Sequence, residues 1–284
     1  MMTCDERPAS SEQSSATADP GRGRTFRWLH LLLAPLISAC NVSVSQEDEL
    51  GDAYAAQIEE QLPILRDSTA DAWLSNLGVR LTSVADKDWR DWHFYLVDDS
   101  TVNAFAVPGG HVFVHRGLIE TAGSYSELAG VLGHEVAHVT LRHSVDQMRS
   151  RTRTSVVVMV VCSIINVCSS TAAQVAIDVG GQALLAKYSR DDEAQADSAA
   201  VGYLVAAGID PKGIPAMFRR MAAERQVDPT ALDAWFGSHP LEESRVARTN
   251  ELISTIGSAK LDSLVSDIAS FADFKASVRG LVTR

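Results

Sequence analysis

Two histidines four residues apart, His134 and His138, stand in the run Leu128-Ala129-Gly130-Val131-Leu132-Gly133-His134-Glu135-Val136-Ala137-His138-Val139. At 3.6 residues per turn this spacing puts both imidazoles on one face of a helix, with Glu135 one position along. The flanking residues are almost all apolar, so the helix is expected to be buried, and two surface histidines on an amphipathic helix would not need such flanks. Buried polar side chains must find partners, either hydrogen bonds or a metal ion. The chain therefore has to build its core around a polar centre. Ser124 can cap this helix, with Glu127 reaching back in a capping-box arrangement.

The chemistry that uses this pattern is zinc hydrolysis. Imidazole nitrogen binds zinc at about 2.0–2.1 Å, the metal brings the pKa of water from 15.7 to about 7, and a carboxylate beside it can take the proton and pass it to a leaving amine. His134 and His138 are thus candidate ligands and Glu135 the candidate general base. One clan of zinc proteases places a third histidine six residues after the second, with a glycine between; here Ser144 holds that position, His143 misses by one and Leu141 replaces the glycine. The third ligand has to come from elsewhere in the chain. Downstream, Tyr188-Ser189-Arg190-Asp191-Asp192-Glu193-Ala194-Gln195-Ala196-Asp197 offers Glu193 and Asp197 on one helical face. Glu193 can bind zinc while Asp197 orients a ligand histidine through its other nitrogen.

Around this centre the periodicity predicts helices over 46–66, 68–84, 190–207, 211–224, 229–236 and 241–256, and strands over 92–97, 104–107 and 111–114. Taken together, Asn103-Ala104-Phe105-Ala106-Val107-Pro108-Gly109-Gly110, then His134 through His138, then Ser189-Arg190 through Glu193 and Asp197 resemble the HtpX and CAAX-prenyl-protease type of zinc metallopeptidase, in its soluble periplasmic lipoprotein branch. The resemblance covers roughly residues 50 to 256, with three motifs in order. It implies an α+β fold, a mainly helical zincin-like (gluzincin) domain with a small sheet whose edge strand lines the active-site cleft. It also implies one Zn2+ per chain on His134, His138 and Glu193, with Glu135 as base and Asp197 behind a ligand. By the same resemblance the substrate lies extended along residues 103 to 114, touching Val107, Gly109, Gly110, His111 and Val112. Ser238-His239-Pro240 and Arg245 resemble a later family segment, implying catalytic roles for His239, facing the metal, and Arg245, facing the substrate or an oxyanion.

The amino-terminal region reads as a leader. Residues 1–39 end in three arginines, a short apolar run and Ile37-Ser38-Ala39-Cys40, which resembles the lipobox of bacterial lipoproteins. Cys40 is then the lipidated residue, 40–47 a tether, 48–256 the peptidase domain and 257–284 a carboxy-terminal helical extension. Asn41 after the cysteine is similar to lipoproteins sent to the outer membrane, so a periplasm-facing envelope location follows. The leader's acidic and basic residues cancel, leaving the formal net charge of −11 to the rest. That balance argues against nucleic acid as a partner, since phosphate neutralisation needs a surplus of Lys and Arg. The apolar run 155–168 is open to burial, membrane or client contact, or a span interrupted by polar residues. Cys162 and Cys168 could pair only if a helix broke between them. The expected function is cleavage of unfolded or misfolded envelope proteins; the competing one is a chaperone or assembly factor holding clients in the same cleft without turnover.

Overall fold

The computed structural model describes residues 43–87, 90–147, 150, 187–228, 230–240 and 243–282. The leader, Cys40 and the run 155–168 with its two cysteines lie outside the described residues. Among those described, no helix is long and apolar enough to cross a membrane.

Helix α1 spans Val44–Gln61. Periodicity alone carried it to residue 66, but Pro63 has no N–H to continue the helical ladder. The chain turns there instead, and Ile64–Leu65 (β1) pairs antiparallel with Val97 and Leu96. Helix α2, Ser68–Ala85, is capped by Asp67, whose carboxylate accepts from the backbone N–H groups of Thr69 and Ala70. Strands β2 (His93–Val97), β3 (Ala104–Val107) and β4 (His111–His115) fall where the sequence pattern placed them. Their order in the sheet is β1-β2-β4-β3. Strand β4 runs parallel to β2 and antiparallel to β3, so it is paired on both sides and β3 is an edge.

Alternation divides the sheet into two faces. Phe94, Leu96, Ala104, Ala106, Val112 and Val114 join the main core with α2 and the helices that follow. On the other face Val97, Val107 and Phe113 form a second, smaller cluster with Ala55, Ile58 and Leu62 of the α1 segment. Rings stack across this outer face, Tyr95 on Phe113 at 4.5 Å and Phe105 on Phe113 at 5.0 Å. The β3–β4 turn needs Gly109 and Gly110, whose φ values of 83° and 95° strain any other residue. Beside it, a Cβ on Gly51 of α1 would meet the Pro108 carbonyl oxygen at 1.9 Å. The glycines bring α1 and the hairpin into contact.

Helix α3, Arg116–Thr121, follows β4 without a loop and was not foreseen from the sequence. Helix α4, Tyr125–Thr140, carries the histidines. Ser124 accepts from the Glu127 N–H at 3.3 Å as expected, but the Glu127 carboxylate accepts from Gly123 N at 2.8 Å and from Arg220 rather than returning to Ser124. Every residue of α4 from Tyr125 to Val139 is buried, packed against α2, β3 and the two helices that follow. Full burial of a Leu or Val contributes about 1.5–3 kcal/mol, and Leu128, Leu132 and Val136 are each completely covered.

Helix α5, Arg190–Ala206, starts with a full Ser189/Asp192 capping box and is stopped by Gly208 at φ 73°. Gly133 lets it approach α4 closely: a Cβ there would stand 2.7 Å from Leu204 Cδ1. Helices α6 (Gly213–Val227), α7 (Asp233–Ser238), α8 (Glu243–Ser254), α9 (Ser258–Leu261) and α10 (Ala269–Val282) complete the described fold. Phe274 of α10 stacks on Trp73 of α2 at 4.0 Å, which docks the carboxy-terminal helix.

Candidate metal centre

Helix α4 presents His134, Glu135 and His138; α5, packed across it, presents Glu193 and Asp197 one turn apart. The end of α7 brings His239, and α8 brings Arg245. All seven side chains are buried. Donor atoms of His134, His138, Glu193 and His239 lie within 4.8 Å of one another.

Inner distances suit a tetrahedral cation. Bonds of about 2.0–2.1 Å set tetrahedral ligand atoms about 3.3 Å apart. His134 Nε2 and His138 Nε2 are 3.0 Å apart, and they stand 3.5 and 3.4 Å from the two Glu193 oxygens. The outer partners fix what these atoms offer. His134 Nδ1 is 3.0 Å from Asp197 Oδ1, and a carboxylate can only accept, so Nδ1 carries a proton and Nε2 is the nitrogen turned inward. On the far side of His138, its Nδ1 lies 2.9 Å from His143 Nδ1. Two imidazole nitrogens and a carboxylate converge on one point, an arrangement that positive charge, a proton or a metal ion, stabilises.

Electrostatics agree with that reading. Burial alone would lower the His134 pKa, but the Glu193 charge and the Asp197 contact outweigh it and hold it up at about 9. Burial would raise the Glu193 carboxyl, yet His134 and its other hydrogen-bonding neighbours drive it far below the usual carboxylate range. Burial keeps His138 well below its ordinary value, the Glu193 contact opposing. A neutral imidazole is the form that binds a metal. The donor set fits a zinc ion.

Glu135 stands apart from this set. Its Oε1 is 3.4 Å from His239 Nε2 and has no hydrogen-bond partner among the described residues. Burial raises its carboxyl, with His239 and His134 opposing, and the Ala106 backbone N–H of β3 bonds to it. His239 bridges both groups, since its Nδ1 lies 3.0 Å from Glu193 Oε1 and 3.3 Å from His134 Nε2. Trp235 stacks on the His239 ring at 4.4 Å and Tyr188 on the His138 ring at 3.8 Å. Neither aromatic was singled out from the sequence; both had only their proximity to Ser189 and His239 as a signal.

Arg245 differs from expectation. It does not line the cleft. Its Nε and Nη2 donate to the two Asp197 oxygens at 2.9 and 2.7 Å, Nη1 reaches Glu193, and the guanidinium lies 4.4 Å over the Phe218 ring. Its guanidinium braces the Asp197 and Glu193 carboxylates.

A cleft of about 510 Å³ opens onto Glu135 and His239, walled by Ile58, Gln61 and Leu62 on one side and by Asn103, Phe105, Ala106 and His115 on the other. The edge strand does line it, but one stretch earlier than expected. Val107 is buried beneath α1, Gly109 and Gly110 turn against α1 and Trp92, and His111 and Val112 sit on the inner strand β4 with no free backbone edge. None of the five lines the cleft.

Comparison with known proteins places this geometry. A family model described as Peptidase family M48 matches residues 68–253. The putative beta-barrel assembly-enhancing protease of Vibrio cholerae is 31% identical over 228 residues, covering 76% of this chain and 46% of that protein. The beta-barrel assembly-enhancing protease of Escherichia coli K12 is 30% identical over 212 residues, 72% of this chain and 43% of that protein. The mitochondrial metalloendopeptidase OMA1 of Schizosaccharomyces pombe is 28% identical over 238 residues, 81% and 68% respectively. The chain thus spans less than half the length of the two bacterial relatives.

Proposed function

The chain belongs to peptidase family M48, and from that premise we propose that it is a zinc-dependent endopeptidase that cleaves unfolded or misfolded proteins of the bacterial cell envelope. The observation that carries the reading is the convergence of His134 Nε2, His138 Nε2 and the Glu193 carboxylate at 3.0–3.5 Å beside the buried carboxylate of Glu135.

His134, His138 and Glu193 would hold one zinc per chain. When bound, zinc supplies Lewis-acid polarisation of the scissile carbonyl and makes water acidic enough to lose a proton near neutral pH. Glu135 takes that proton and returns it to the leaving amine; its burial keeps it basic enough for both transfers. Asp197 holds the His134 ring in the ligating tautomer, and Arg245 holds Asp197. His239, 3.0 Å from Glu193 Oε1 and 3.4 Å from Glu135 Oε1, would stand beside the ion and next to the general base. The substrate lies against Asn103 and the Ala104–Ala106 stretch of β3, where backbone pairing accepts many sequences and favours an extended, non-native chain.

An envelope location is supported by the lipobox-like Ile37-Ser38-Ala39-Cys40 and by the names of the bacterial relatives. Lipid on Cys40 would attach the protein to the outer membrane. Incubation of the purified protein with casein tests the activity: cleavage is expected from the native chain and none from Glu135→Gln, which retains its zinc. Full cellular rescue by that variant would instead favour a chaperone that holds clients without cutting them, the reading to which the word assembly in the relatives' names lends weight.

A further inference from the structure

The register of β3 and β4 continues one pair beyond Ala104 and Val114, because the His115 N–H donates to the Asn103 carbonyl at 3.0 Å. Directly opposed residues project from the same face of a sheet, so Asn103 and His115 stand side by side in the row of Phe105 and Phe113. The last turn of α1, with Ile58 and Gln61, and Leu62 beyond it form the opposing wall of the cleft.

His115 is only 6% exposed, and its tautomer is fixed from behind. The Thr101 hydroxyl donates to Asp99 Oδ1 at 2.8 Å, so its oxygen is left to accept from His115 Nδ1, 2.9 Å away. The ring proton is thereby held on Nδ1 and Nε2 is a bare acceptor. That atom is buried with no hydrogen-bond partner among the described residues, and so is Asn103 Oδ1. Burial keeps the imidazole below its ordinary pKa, against the pull of Asp99, so the ring is neutral at pH 7. An unpaired buried acceptor is costly, and a donor arriving from outside relieves that cost. Among the described residues, the cleft's acidic lining side chains are Glu135 and Asp233, and neither Lys nor Arg lines it.

We propose that His115, with Asn103 beside it, forms a subsite that selects a basic side chain, lysine or arginine, at one position of the bound polypeptide. This rests on the peptidase reading for its biological sense, but the contact itself is a binding event and can be measured without turnover. His115 accepts from the substrate's ammonium or guanidinium N–H through Nε2, while Ile58, Leu62 and Phe105 cover the aliphatic stem.

The test uses the full chain carrying Glu135→Gln and loaded with zinc, so that bound peptide is not cut. A positional set of fluorescein-labelled hexapeptides carries lysine or its apolar counterpart norleucine at each position in turn, and anisotropy gives Kd for each. At one position lysine is expected to bind roughly tenfold or more tightly than norleucine. Adding His115→Phe should bring the two Kd values together, whereas His115→Gln, whose amide oxygen can still accept, should keep them apart and shows that the site has folded. Equal Kd values for both peptides at every position, as expected if water satisfies Nε2, would overturn the proposal. So would a preference untouched by His115→Phe. The peptidase reading is judged separately with Glu135 intact: selective binding of the lysine peptide without its cleavage would sink that reading and leave the subsite standing.

Discussion

His134 and Asp197 meet Nδ1 to Oδ1 at 3.0 Å across the packed faces of α4 and α5, and that contact decides which nitrogen of His134 turns toward His138 and Glu193. A carboxylate behind a ligand imidazole fixes the tautomer and raises the ring's basicity.

Asp197→Asn weakens both effects, because an amide can present N–H as readily as oxygen to the ring. Zinc affinity measured by competition with a chromophoric chelator should fall by about 10–100-fold. An unchanged affinity would show that His134 is oriented by something else.

Arg245 neutralises two buried carboxylates at once, those of Asp197 and Glu193. Breaking a buried ion pair by removing one partner costs about 3–5 kcal/mol. Arg245→Met, which keeps the packing against Phe218, should lose stability of that order in urea titrations of zinc-free protein, and added zinc should restore part of it. Equal midpoints for the variant and the native chain would remove Arg245 from the account.

His111 is buried on β4, its Nε2 2.9 Å from Asp52 of α1 and its Nδ1 3.0 Å from the Tyr95 hydroxyl. Burial lowers its pKa from 6.5, with Asp52 opposing. The unfolded chain therefore binds a proton at this ring before the folded chain does. Stability from this source is complete above about pH 6.5 and declines as pH falls from there to the lowered folded value. His111→Gln should flatten the change in urea midpoint between about pH 7.5 and 5. A slope equal to that of the native chain would contradict the assignment.

The local parts of this architecture were legible in the sequence because their causes are local. The four-residue spacing of His134 and His138, the Ser124 cap and the spacing of Glu193 and Asp197 each depend on a single helix. What escaped depends on distant segments meeting. Placing β4 between β2 and β3 removed His111 and Val112 from the sheet edge, and no pattern within 103–114 encodes that order. The sequence reading turns Arg245 toward substrate or an oxyanion, and its bonds to Asp197 and Glu193 emerge only when α8 is seen packed on α5. Tyr188 and Trp235 matter only through the rings they stack on. At Pro63 the signal was local and helical periodicity overran it.

The central claim is that two imidazoles and a carboxylate form a divalent-cation site. Metal analysis of natively purified, folded protein tests it most directly. One zinc per chain is expected for the native chain and for Glu135→Gln, with loss of that zinc in His138→Ala. Folded protein that carries no zinc and takes up none on titration would contradict the account.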